Sequence, residues 1–522
     1  MNKIKHYLKN ANMNTGYHSK NLISLFVLIL SLGLILRLLI ILTQEVFIDE
    51  IFYTETSRVY TFASLIASNN PIKDHGILYL VFLKFLQLIT LNISYLRLPN
   101  LILYILTSFS LFFFFGKLSK GIVALVPVFL LSFLPYFIYL NSYVSPYNFV
   151  VFFSILAFIS ISNFILYSKT KRNKIVNTVF FLIFSTLAFY SDYSVIYFYL
   201  SLIPIIFLTL KWNEKQAENI VFIGFVNLIL ISPGLYQLAN NFHYFFSLNN
   251  QETYADQNLK VFIYKFVNIV FSNLGNNISF LVFVFFLVLL ILIWLRSKEK
   301  NLTYLSYMVT SSFFIDIFFL YLFNKSFFFI FTERIFWYFY FLILIGLYLI
   351  GNVLYKYKRV FIFFLIGLII LMYFKYSQSL DNNPISGTII HNEVLVKRLV
   401  NNNQYLGKGL IIYYDKTYNY QVLSNYYFRG FSPFEDNALT KVNEFLKDKK
   451  TYIISNSKEI KYININQGDI LIFIVDDFNG DKISGAINDE IKKYENENNI
   501  RFKTYIFDLI CYKKDCSFQT YN

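Results

Sequence analysis

Long apolar runs, nearly free of charge, limit what this chain can fold into. Residues 22–42 hold a single charge, Arg37, and residues 280–295 and 360–374 hold none. About 20 residues of this kind are needed to cross a bilayer as a helix. Only 15% of the 522 residues are charged, while 56% are apolar and 21% aromatic, with 62 Phe and 43 Tyr. A soluble domain is usually about a quarter charged. The composition therefore excludes an ordinary soluble protein, a disordered chain, a fibrous repeat and a disulfide scaffold. It predicts an integral, multi-pass membrane protein.

Apolar segments fall near 22–42, 77–91, 98–115, 121–140, 148–167, 175–189, 193–210, 219–235, 278–295, 303–323, 335–351 and 360–377. They predict an all-α membrane bundle of about 12–13 helices over 21–378. The net charge is +15. From Asp381 onward, 18 basic residues balance 18 acidic ones, so the surplus lies in the first 378 residues. It gathers in four short connections: Lys169, Lys171, Arg172 and Lys174; Lys211 and Lys215; Arg296, Lys298 and Lys300; Lys356, Lys358 and Arg359. Basic residues concentrate in cytoplasmic loops, so these clusters are read as cytoplasmic and nucleic acid is not needed to explain the charge. Residues 191–193, the loop 236–277 and everything after about 378 then lie outside. The basic tail 1–20 leads into an apolar run with no cleavage site, an uncleaved first span with a cytoplasmic N-terminus. The expected location is the plasma (inner) membrane. Twelve crossings would return the C-terminus to the cytoplasm, so one segment between 75 and 140 fails to cross or one crossing is unaccounted for.

Residues 379–522 change character. Short apolar runs at 409–414, 451–455, 469–475 and 504–511 read as strands, and the polar stretches 437–449 and 489–498 read as helices. This alternation predicts an extracytoplasmic α/β domain. Cys511 and Cys516, the only cysteines, fall within it. They are compatible with a disulfide or with two free thiols. Two cysteines and five histidines argue against structural zinc. The sequence marks no metal ligand set, and a divalent metal is the one cofactor left open.

The first extracytoplasmic loop, 44–74, is where acids crowd. Glu45, Asp49, Glu50, Glu55 and Asp74 make up five of the 13 acids in the membrane half. A carboxylate next to a hydroxyl can take its proton as the oxygen attacks. His75, Arg97 and Lys73 could bind a phosphate as cationic donors. A solvated interfacial loop explains an acidic pair equally well, but it does not explain the order of the whole set.

That order, Asp49-Glu50, then Asp74-His75-x-x-x-Tyr79, then Arg97-Leu98-Pro99, resembles the C-type membrane glycosyltransferases of the protein mannosyltransferase and aminoarabinose transferase group (glycosyltransferase families 39 and 83). The resemblance covers roughly 20–210. It implies a donor sugar carried on a polyprenyl phosphate, membrane lipids around the bundle, and a glycan, lipid or protein acceptor on the extracytoplasmic side. By the same resemblance Asp49 is the catalytic base, with Glu50 beside it. His75, Arg97 and Arg334 (in Thr332-Glu333-Arg334) bind the donor phosphate, and Asp74, Tyr79 and Tyr53 position substrate. The sequence departs from the family pattern in three places. Gly76-Ile77 stands where Pro-Pro is usual. The stretch 142–148 lacks the acid often found there. Ser191-Asp192-Tyr193 replaces a Lys-Tyr or Lys-Gly pair.

Three charges lie inside apolar segments: Arg37, Lys84 and Asp316. Such residues are expensive and often functional. Lys84 is read as reaching out to an interface, and Asp316 as pairing within the bundle or lining a cavity. A lipid-linked polysaccharide polymerase or ligase would place arginines in a large late loop, yet 236–277 has none. A transporter predicts inverted repeats, which the sequence lacks. A non-catalytic relative would keep the bundle and tolerate loss of Asp49.

Overall fold

Helices form where the apolar runs lie, because in hydrocarbon each backbone N–H and C=O must be satisfied within its own segment. The computed structural model describes residues 16–43, 48–66, 76–90, 92–119, 121–247, 263, 267, 276–327 and 337–381, four strands after 400, and helical residues at 487, 489–493 and 495–496. In chain order the helices are α1 (Gly16–Thr43), α2 (Ile48–Val59), α3 (Phe62–Ile66), α4 (Ile77–Gln87), α5 (Ile93–Leu118), α6 (Val126–Phe133), α7 (Pro135–Leu140) and α8 (Tyr147–Leu166). There follow α9 (Lys171–Ser191), α10 (Ile196–Leu200), α11 (Leu202–Trp212), α12 (Glu214–Ser247), α13 (Asn276–Arg296), α14 (Lys300–Phe327), α15 (Trp337–Leu354) and α16 (Lys358–Asp381).

Among the described residues, nine helical stretches are long and apolar enough to cross a membrane. The chain is an integral multi-pass membrane protein. Of the twelve apolar segments, 77–91, 121–140 and 360–377 are not among these nine; the last falls in α16, and the first two form shorter helices. Helix α4 has 11 residues, about 16 Å at 1.5 Å per residue, half of what a bilayer needs. The segment 121–140 is a 3-10 turn (Gly121–Leu125), then α6, then α7. It breaks at Leu134, whose ψ of 120° is extended, because Pro135 disfavours helical geometry in the residue before it.

Two compact units make up the chain. Met1–Leu42, Phe62–Phe82 and Arg97–Ile385 form the first; Thr43–Thr61, Leu83–Leu96 and Ser386–Asn522 form the second. In the first, α15 is buried along almost its whole length and packs against α6, α13, α14 and α16. Outer helices show one apolar face outward: Val27, Leu28, Ile35 and Leu39 on α1, and Val221, Phe222, Phe225 and Leu228 on α12. That is the pattern of helices bathed in lipid.

Three basic connections gather at one end of this unit. Asn301 Nδ2 donates to the Tyr167 hydroxyl at 3.1 Å, joining the turns at 167–171 and 296–301. Lys300 Nζ lies 4.8 Å above the Trp212 ring, a cation–π contact. Gln216 Nε2 donates to Phe164 and Ile165 carbonyls at 3.2 and 3.1 Å. Burial raises the Tyr167 phenol above its usual range, and the bond from Asn301 offsets part of that rise. Helix α8 runs from this end over 20 residues, about 30 Å, the thickness of a hydrocarbon core. The far end of α8 is therefore at the opposite face.

In the second unit, β1 (Gly409–Tyr414), β2 (Lys449–Ile454), β3 (Ile470–Val475) and β4 (Lys503–Asp508) form one parallel sheet, ordered β2-β1-β3-β4. Gly409 pairs with Lys449 and Ile470, and Ile470 pairs with Lys503. Leu471 and Ile472 of the central β3 are buried. The strands coincide with the four apolar runs to within three residues, and helical residues fall in 489–496. The helix read at 437–449 lies outside the described residues up to the start of β2, and Cys511 and Cys516 lie outside them altogether.

Candidate active site

At the end of the first unit opposite the basic connections, the stretches that carry Tyr79 and Arg97 meet the turns at 141–148 and 191–194. Arg97, near the start of α5, is buried and its Nη1 donates to the Ile41 carbonyl at 3.2 Å. Ile41 lies in the last turn of α1, where carbonyls lack helical partners and carry partial negative charge. One turn along α5, Asn100 Nδ2 donates to the Tyr143 carbonyl. Arg97-Leu98-Pro99-Asn100 thus ties the end of α1 to the turn between α7 and α8. Pro99 lies inside α5 and has no N–H to give the Tyr95 carbonyl, so one helical hydrogen bond is lost there.

The 141–148 turn has no acid, but it is polar and buried. Asn141 Nδ2 donates to Asn148 Oδ1 at 2.5 Å, and Asn148 Nδ2 to the Leu140 carbonyl at 2.6 Å. Asn141 Oδ1 also accepts from Arg37, Nε at 3.3 Å and Nη2 at 3.1 Å. The remaining Arg37 donors reach the carbonyls of Gly33 (2.9 Å), Ser132 (3.1 Å) and Leu131 (2.7 Å). All five guanidinium N–H groups are used, and the group lies 3.8 Å over the Tyr104 ring. Pro135 has no N–H to give Leu131, so Arg37 supplies what the proline removed. It caps the broken end of α6, and its role is structural.

Tyr79 of α4 is buried and packs edge-on to Phe149 at 5.5 Å, next to Asn148. Gly76, which precedes α4, lies against the end of α9. A Cβ there would collide with the Tyr190 carbonyl and come within 2.9 Å of the Ser191 carbonyl carbon. The Gly76 departure and the Ser191-Asp192-Tyr193 departure are therefore one feature. Backbone meets backbone, and only glycine fits. Asp192 is extended and buried, and its Oδ1 accepts from Ser194 N at 2.8 Å, starting a short 3-10 turn. Ser194 Oγ accepts from Trp337 Nε1 at 2.9 Å. Trp337 opens α15, three residues after Arg334. The next residue, Tyr338, donates to Ser201 Oγ at 2.6 Å, and Ser201 Oγ donates to Asp316 Oδ2 at 3.0 Å.

Asp49, Glu50 and Tyr53 lie on α2, in the second unit. Glu50 and Tyr53 are buried. The side chain of Asp49 lies outside what the structure describes, as do His75, Asp74, Arg334 and Lys73 entirely. Lys84, half-buried, reaches the end of α2. Its ammonium donates to the Ser57 and Arg58 carbonyls at 2.9 and 3.3 Å, and Gln87 Nε2 to Thr54 O at 2.8 Å. Together they cap the C-terminus of α2, where a cation is favoured. The structure thus joins the neighbours of His75 (Gly76, Tyr79), the turn at 191–194 and the neighbour of Arg334 (Trp337) into one contact chain, with Arg97 on α5. Asn100, Asn141, Asn148, Ser194 and Trp337 were not singled out by the sequence. Amides in an apolar stretch are the signal that marks the first three. No group of three or more His, Cys, Asp or Glu that could hold a metal is present among the described residues.

No protein-family model matches this chain. A search of curated proteins finds no match either.

Proposed function

We propose that this protein is a C-type membrane glycosyltransferase that moves a sugar from a polyprenyl-phosphate donor to an acceptor hydroxyl on the extracytoplasmic side, with inversion. The observation that carries the reading is the order Asp49-Glu50, Asp74-His75-x-x-x-Tyr79, Arg97-Leu98-Pro99 in a multi-pass helical chain. The contacts of Gly76, Tyr79, Asn100, Ser194 and Trp337 at one end of the bundle add support, since they draw separate motif neighbourhoods together. The basic connections at the other end support an extracytoplasmic site, because basic loops stay in the cytoplasm.

In this reading Asp49 removes the acceptor proton as its oxygen attacks the anomeric carbon, and the bond to the carrier phosphate breaks. The leaving phosphate departs as an anion, so it needs cations more than an acid. His75, Arg97 and Arg334 supply that charge. Glu50 orients the base, and Asp74, Tyr53 and Tyr79 shape the acceptor side. The sheet β1–β4, with its helical residues, is read as an extracytoplasmic α/β domain.

The test is donor chemistry. The purified full chain in liposomes receives a set of radiolabelled polyprenyl-phosphate sugars and, separately, nucleotide sugars. The reading expects release of polyprenyl phosphate from at least one lipid-linked sugar and none from nucleotide sugars. Turnover of nucleotide sugars alone would contradict it.

A further inference from the structure

The four basic connections hold 12 basic residues and three acids, unevenly shared. Between 211 and 218, Glu214 and Glu218 offset Lys211 and Lys215. Residues 167–174 hold four basic residues and no acid, and residues 354–360 hold three and no acid. Lys169, Lys171, Arg172, Lys356, Lys358 and Arg359 are all exposed. The first of these two connections joins the spans Tyr147–Leu166 and Lys171–Ser191. The second follows the span Trp337–Leu354, which starts at the opposite end with Trp337 bonded to Ser194. Residues 354–360 therefore lie at the basic end too. Both sets of cations sit where spans leave the hydrocarbon, at the depth of lipid headgroups.

Each of the two connections runs on into an exposed apolar stripe. On α9, Ile175, Val179 and Ile183 follow Lys171 at four-residue steps, and all three are exposed. On α16, Ile362, Phe363 and Ile366 follow Arg359 at steps of three, four and seven, and are exposed as well. Residues so spaced share one face of a helix, so cations and apolar surface are continuous along each face. A soluble phosphate would answer the cations and leave the stripe unmatched. A zwitterionic lipid would cover the stripe but bring its own positive charge to the cations. A lipid with a net negative headgroup matches both parts. Its phosphate pairs with Lys and Arg, its chains lie along the stripe, and anionic leaflets attract basic segments placed this way.

We propose that 169–183 and 356–366 are binding surfaces for anionic phospholipids of the surrounding leaflet. The connection at 211–218, with its charges offset internally, takes no part. This inference needs only the membrane-spanning bundle and is independent of the glycosyltransferase reading.

The test uses the purified full chain in mixed micelles holding equal amounts of phosphatidylglycerol and phosphatidylcholine, and measures the lipid retained after detergent exchange. At low salt the wild type is expected to retain phosphatidylglycerol over phosphatidylcholine by at least about fivefold, on the order of one well-placed cation at a membrane surface. The preference should fall toward one in about 1 M salt, where the Debye length is roughly 3 Å. A variant with Lys171→Gln, Arg172→Gln, Lys358→Gln and Arg359→Gln should lose most of the preference, while Lys211→Gln with Lys215→Gln keeps that of the wild type. If the fourfold variant does not fold, the wild type at low and high salt and the Lys211, Lys215 variant decide the matter. Equal retention of the two lipids by the wild type at low salt would overturn the inference. So would an undiminished preference in the fourfold variant, or a loss as large in the Lys211, Lys215 variant. Release of the bound lipid by an equal concentration of sn-glycerol phosphate would assign the surfaces to a soluble anion and overturn it as well.

Discussion

Gly76 shows how a single residue records a tertiary contact. Its position next to the Tyr190 carbonyl leaves no room for a Cβ, so the glycine is dictated by α9, more than 100 residues later in the chain. Gly76→Ala is predicted to lower stability by about 1–3 kcal/mol, the usual range for overpacking a tight contact. The measurement is unfolding of the purified chain in detergent, compared with wild type. A loss below about 0.5 kcal/mol would mean that α9 does not approach this closely. Tyr79, three residues on, is held by an aromatic contact to Phe149. The short stretch after His75 thus touches both the end of α9, through Gly76, and the start of α8, through Tyr79. Gly33 in α1 is a second tight approach: a Cβ there would collide with the Tyr104 hydroxyl and come within 2.9 Å of Ser132 Cβ. It lets α1 close on the broken helix that Arg37 caps.

Among the elements, basic side chains recur as caps of helix C-termini. Arg37 serves α6, Lys84 serves α2 and Arg97 serves α1. Each meets carbonyls that the last turn of a helix leaves unpaired. Arg37→Lys is predicted to cost about 2–5 kcal/mol. Lysine carries three donors where arginine carries five, and each buried acceptor left unfilled costs roughly 1–3 kcal/mol. Reversible denaturation in mixed micelles would measure it, and a change within about 0.5 kcal/mol would contradict the capping role. These elements also mark where sequence reading stops. The apolar runs and the four strands were legible because periodicity and apolar length are local properties. That Arg37 was charged inside a span was also legible. Its acceptors were not, since Leu131, Ser132 and Asn141 lie about 100 residues away and carbonyl groups leave no trace in composition. Asp316 was visible as an intramembrane acid, yet Ser201 lies 115 residues before it. The partners of Lys84 were not legible either, because they are backbone carbonyls of α2, 26 and 27 residues earlier. The 11-residue length of α4 was missed because the apolar run extends past the helix end at Leu88–Thr90, where the backbone turns.

For the whole molecule, the bundle has a basic end and an opposite end where the motif neighbourhoods meet. The end of α1 that carries Ile41, the start of α5, the start of α8, the end of α9 and the start of α15 all lie at the second end, as their mutual contacts require. The positive-inside rule then gives the molecule a direction. A reporter enzyme that folds only outside the cytoplasm is predicted to be active when fused after Tyr236 and inactive when fused after Lys298. Activity after Lys298 and none after Tyr236 would reverse the molecule and place the site in the cytoplasm, contrary to the proposed donor chemistry.

The proposed role of Asp49 as the base of a sugar transfer from a lipid phosphate is open to a direct assay. Asp49→Asn and wild type, matched for amount and for unfolding temperature, are assayed in liposomes loaded with the polyprenyl-phosphate sugar that the wild type consumes. The account predicts that the wild type releases polyprenyl phosphate and that Asp49→Asn releases it at least about 100-fold more slowly, the lower end of what a general base contributes. Equal release by both would contradict the account.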